Sequence, residues 1–177
     1  MWALLEMKER SLEEDDEMIH AAHGSLFHWL HAGTAVNHQR GVWLISRVFA
    51  VLGEPAQAKC YTERCVTLME ENSNEMQGFD WALAYEAMAR TLALMGESQP
   101  AETWLARARQ AGECIQDPNE RDIFEGDLAP GPWLWPRHDI SREALTPCTM
   151  ALQNRSGDGS RHEHPEVEYS RATTCGV

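Results

Sequence analysis

The stretch Phe49-Ala50-Val51-Leu52-Gly53-Glu54 returns 43 positions later as Leu92-Ala93-Leu94-Met95-Gly96-Glu97. The same offset carries Ile45 onto Met88, Ser46 onto Ala89 and Arg47 onto Arg90 upstream. Downstream it carries Ala58 onto Ala101, Tyr61 onto Trp104, Arg64 onto Arg107 and Cys65 onto Ala108. Glycine is the residue best suited to the left-handed conformation that stops a helix. Each unit therefore reads as a helix, a tight turn and a second helix. Small residues recur where two helices would cross closely, and large ones recur one turn away. Self-similarity at such a period marks a stacked helical array.

The flanking sequence extends this pattern. Ser11 and Glu14 have the spacing of a capping box, and the acids Glu13–Glu17 follow where a helix dipole favours them. That helix is expected to run to about Ala32, with Gly33 in the left-handed position after it. Helices are expected from about Ala35 to Leu52, and from near Ala56 to Asn72. Two more are expected from a cap at Asp80 to Gly96, and from a cap at Ser98 onward. Asp117 followed by Pro118 is a further start signal, for a short helix to about Leu128. No alternating run competes as a strand. The fold class is all-α: antiparallel helical hairpins stacked as a short solenoid over residues 1–129.

The pattern resembles the tetratricopeptide repeat. That family places a small residue in the middle of the first helix and a large apolar one three later. Gly follows at the turn, then small residues five and twelve further on. Those positions are Ser46, Phe49, Gly53, Ala58 and Cys65 here, then Ala89, Leu92, Gly96, Ala101 and Ala108. The likeness covers about residues 38–115. It departs in period, 43 against about 34 residues, and the usual Trp of the first helix is Val42 or Tyr85. The block Arg40 to Phe49 also looks like a class of bacterial repeat proteins to which no activity is attached. Residues 2–9 then read as a remnant first helix and the Asp117 helix as a cap. About three units are needed for a stable array. The truncated N-terminal end is thus expected to support homodimers.

The resemblance implies that first helices line a concave groove. Its inward positions are Arg40, Trp43 and Arg47 in one unit, and Leu83, Glu86 and Arg90 in the next. Arg40, Trp43, Arg47, Glu86 and Arg90 are the candidate ligand-binding residues. Guanidinium groups hold carboxylates with two parallel bonds, and a Trp supplies an apolar anchor. Two uses stay open. The groove binds a peptide, a partner helix or an acidic ligand; or Arg47 and Arg90 pair with Glu86 and other acids to hold adjacent helices together. The leading expectation is a non-catalytic interaction module with a protein or peptide partner, without catalytic residues, cofactor or metal.

The rival expectation is a metal-dependent helical-bundle enzyme built on clustered histidines, five of which lie between His20 and His38. His20/His23 and His28/His31 each share a helix face at i,i+3 spacing. The two pairs are too far apart for one ion, and no acid completes a zinc-protease motif. His31 with His38, across the Gly33 turn, is the better pair. A third expectation is a self-associating structural fragment. Cys60, Cys65 and Cys114 show no zinc spacing and are expected to pack as small apolar residues. Trp29, Trp43, Tyr61, Trp81, Tyr85 and Trp104 are expected mostly in the core.

Charge sorts with the fold. The chain has 28 acids against 15 bases, and residues 1–133 alone hold 22 acids against 10 bases. An acidic surface repels phosphate backbones, which argues against nucleic acid. No apolar run suits a membrane span, no basic-apolar leader is visible, and a cytoplasmic setting is expected. Residues 130–177 carry Pro130-Gly131-Pro132 and the run Asn154 to Ser160, with no sustained period. They read as a disordered tail or a read-through end, with Trp133 and Trp135 near its start.

Overall fold

A computed structural model describes residues 2–129, and those residues form helices and turns without a strand. The expected tail, with Trp133 and Trp135, lies outside the described residues. The helices are α1 (Trp2–Glu6), α2 (Leu12–Ala32), α3 (Ala35–Val51), α4 (Pro55–Glu71), α5 (Gly78–Leu94), α6 (Ser98–Glu113) and α7 (Pro118–Leu128).

The two echoed stretches adopt the same turn. Gly53 has φ 74° and Gly96 φ 82°. Glu54 N–H donates to Phe49 O at 2.9 Å, and Glu97 N–H to Leu92 O at 2.9 Å. Gly53 N–H donates to Ala50 O and Gly96 N–H to Ala93 O, at 3.2 and 3.0 Å. This double bond pattern ties off the last carbonyls of a helix and needs a left-handed residue. It folds α3 back on α4 and α5 back on α6. The hairpins then meet, α5 packing on both α4 and α3, while α2 covers α3 and α7 contacts α5. All six small residues of the repeat, Ser46, Ala58, Cys65, Ala89, Ala101 and Ala108, are buried. Met18, Ile45, Met69 and Leu83 fill the centre.

Where α3, α4 and α5 meet, the filling is polar. Ser46 and Thr62 hydroxyls lie 2.6 Å apart, and Thr62 and Thr91 hydroxyls 3.0 Å apart. All three residues are buried, so this chain of hydroxyls satisfies groups that water cannot reach.

Several expectations need correction. Gly33 is not left-handed: its φ is -105°. Only Gly33 and Thr34 separate α2 from α3, so the chain passes extended from one helix to the next. Glycine is needed there because a Cβ would stand 2.7 Å from Trp29 O and 2.8 Å from Asn37 Cβ. Asp80 does not cap α5 from outside. It sits inside the first turn, and its Oδ2 accepts from Gln77 N–H at 2.9 Å. Ser98 is likewise the first residue of α6, after Glu97. Cys60 faces outward, while Cys65 is buried, which pushes its thiol pKa up. Trp43 alone of the six aromatics is buried. Tyr61 stacks on Phe49 beside His23, and Trp81, Tyr85 and Trp104 form a second half-buried group. Trp29 is 36% exposed near the end of α2, and Phe27 and Leu30 are still more open.

Candidate binding groove

Arg40, Trp43 and Arg47 lie on one face of α3, and Leu83, Glu86 and Arg90 on the facing side of α5. The structure brings the two rows together, but as a charged interface that α7 joins. Glu86 is fully buried between two guanidinium groups, bonding Arg90 Nη2 through Oε1 and lying 3.7 Å from Arg47 Nη1. From α7, Asp127 Oδ1 accepts from Arg47 Nη2 at 3.0 Å. The Asp127 carbonyl accepts from Arg90 Nη2 at 2.8 Å. Farther along α3, Arg40 bonds Asp80 at 2.6 Å and Glu120 of α7 at 2.9 Å. Its guanidinium also lies 4.8 Å above the Phe79 ring. The pairing use of the arginines is thus the one the geometry displays, with Glu120 and Asp127 as partners beyond Glu86.

Burial sets the electrostatics. It works against the Arg40 charge, yet Asp80 and Glu120 outweigh it and hold the pKa up. For Arg47 burial wins, aided by the neighbouring Arg90 charge, and the pKa is lowered. Burial also raises the Asp127 carboxyl above its ordinary value, against the pull of Arg47 and with a push from Glu86. Among the described residues, three buried atoms of this cluster, Arg47 Nη1, Glu86 Oε2 and Asp127 Oδ2, find no hydrogen-bond partner. Such groups cost about 1–3 kcal/mol each. The cluster therefore specifies an arrangement more than it stabilises one.

Beside the charges an open cleft of about 440 Å³ runs between the helices. Trp2, Trp29, Trp43, Phe79, Leu83 and Ile123 give it an apolar lining, and Arg40 stands at its edge. Trp2 and Trp43 approach with ring centroids 6.4 Å apart. The Trp43 indole N–H is buried without an acceptor among the described residues. Sequence reasoning located Arg40 and Trp43 here but missed Trp2, Phe79 and Ile123, and missed Asp80, Glu120 and Asp127 as ion partners. One signal for the last two was present: Glu120 and Asp127 are seven residues apart, as are Arg40 and Arg47.

α7 is seated against α3, α5 and α6. Asp127 and Glu120 make the ion pairs, and the ring of Phe124 lies against Gly112 of α6. Asp117 starts the helix by accepting from Asn119 and Glu120 N–H groups at 2.7 and 3.2 Å.

The histidines take other partners. His23 meets the Tyr61 hydroxyl at 3.1 Å, His31 the Phe27 carbonyl at 2.8 Å, and His38 the Trp29 carbonyl at 2.9 Å. Among the described residues no three of His, Cys, Asp and Glu converge as metal ligands. Among them, too, no helix is long and apolar enough to cross a membrane. The groove sets guanidinium groups, which can hold carboxylates, beside aromatic surface and an apolar recess.

No family model, no curated protein and no solved structure matches the chain.

Proposed function

We propose that the chain is a non-catalytic interaction module, a short tetratricopeptide-repeat-like array that binds a peptide or partner helix on the face of α3 and α5. The observation that carries this reading is the aromatic cleft of about 440 Å³ beside Arg40. Ligand sites are concave, mostly apolar and edged by a few polar groups, and this cleft has that composition. An extended helix laid there would place apolar side chains on Trp43 and Phe79. The two identical turns and the packing of α5 on both α3 and α4 support the array. The acidic surface suits a cytoplasmic setting and a protein partner better than nucleic acid.

A displayed library of helical peptides, selected on the full chain, tests this. Selected peptides should lose at least about ten-fold in affinity to Trp29→Ala and to Ile123→Glu, both at exposed positions of the lining; ten-fold corresponds to about 1.4 kcal/mol. Unchanged affinity for both variants, or no selected peptide, refutes the reading. Self-association is a second reading, favoured by Phe27 at 65% and Leu30 at 48% exposure on neighbouring turns of α2. Sedimentation showing only monomer at high concentration removes it.

A further inference from the structure

Arg40 and Arg47 stand seven residues apart on α3, two turns of helix. Glu120 and Asp127 stand seven apart on α7, and the two rows pair in register. Between the acids, Phe124 is the buried apolar side chain of α7. α7 therefore presents an acid, an aromatic four residues on, and an acid three residues beyond that.

We propose that the seat of α7, with α3 and α5 taking the acids and α6 the aromatic, is a receptor for an acidic helix of that pattern on a partner protein, and that α7 is a resident copy which the partner displaces. This rests on the groove reading above and names its ligand class. Three observations carry it. First, α7 has 11 residues, too few to hold a helix in water unaided, so its contacts with the array keep it folded and docked. Second, its fit is incomplete: among the described residues Asp127 Oδ2 is buried without a hydrogen-bond partner, and Arg47 Nη1 reaches Glu86 only at 3.7 Å. Third, charge is complementary. With α7 lifted, Arg40 loses Glu120 and Arg47 loses Asp127, which leaves guanidinium groups short of carboxylates within an otherwise acidic protein. Beside these charges, Ile123 of α7 joins Phe79 and Trp43 in the apolar lining of the cleft.

The test uses the full chain, as wild type and as Phe124→Ala, titrated with a fluorescent peptide of residues 117–129. The peptide is held helical by a crosslink between positions 122 and 126, which face solvent. Phe124→Ala should speed amide exchange in α7 while leaving α3 and α5 unchanged. That chain should bind the peptide at least ten-fold more tightly than wild type does. A peptide with Glu120→Lys and Asp127→Lys should bind it at least ten-fold more weakly. Equal affinity of the two chains, equal affinity of the two peptides, or no binding overturns the proposal. If Phe124→Ala disturbs α3 or α5, the Glu120→Lys chain replaces it under the same criteria. A library peptide that is sensitive to Trp29→Ala but binds the latched and unlatched chains alike leaves the groove reading standing and overturns the displacement alone.

Discussion

Glu86→Gln separates a structural cluster from a free set of arginines. The substitution keeps the side-chain volume and removes one charge from a position with no solvent exposure. In the wild type, Glu86 lies between Arg47 and Arg90, and Asp127 bonds Arg47. The variant takes the Glu86 charge away from both guanidinium groups, and Arg47 already feels Arg90 as an unfavourable neighbour. Removing one partner of a buried ion pair costs about 3–5 kcal/mol, because the other is left uncompensated. Asp127, 3.0 Å from Arg47, relieves part of that, which places the expected loss at about 3 kcal/mol. Urea unfolding of the full chain reads it. With a slope of about 2 kcal/mol per molar, the midpoint should fall by about 1.5 M. Pairing Glu86→Leu with Arg90→Met should recover at least half of the loss, since an apolar replacement leaves no lone charge. A midpoint within about 0.25 M of wild type for Glu86→Gln would refute the reasoning, because the arginines would then not depend on Glu86 for their place.

Two further outcomes follow from the same geometry. Thr62→Val removes the middle of the buried hydroxyl chain and strands Ser46 and Thr91, so it should cost about 1–2 kcal/mol; Ser46→Ala, Thr62→Val and Thr91→Val together should cost less than the single change, and a larger loss in urea unfolding contradicts this. The docked pKa of Asp127 lies above its ordinary value of 3.8, so docked α7 takes up a proton. The Asp127 contribution to docking should be fully present below 3.8 and be lost as pH rises through the raised value. A carboxyl-carbon NMR titration of Asp127 with a midpoint at or below 3.8 would contradict that sign.

Much of the helical framework was legible because its signals are local. Ser11 with Glu14, Pro118 after Asp117, and the paired glycines Gly53 and Gly96 each act within one turn of chain. Gly33 misled because a helix stop and a close approach both select glycine, and the sequence does not distinguish them. Trp29 misled for a different reason. It continues the apolar face of α2 past Leu26, but among the described residues no helix covers it fully, and it stays 36% exposed. The five groove residues were placed on the correct helices, since the offset of 43 superposes Arg47 on Arg90. Their closure by Glu120 and Asp127 was not foreseen, because that depends on how α7 lies across two other helices.

Both bridges between α3 and α7 join residues 80 apart in the chain, whereas each hairpin closes within neighbouring segments. Local contacts form quickly, and distant ones wait for loop closure. Synthesis imposes the same order, at roughly 5–20 residues per second. Arg40 and Arg47 are therefore translated several seconds before Glu120 and Asp127 exist to meet them. Every nascent copy passes through a stage in which its arginine face lacks its α7 partners. In that interval an acidic helix already present in the cell meets no resident competitor.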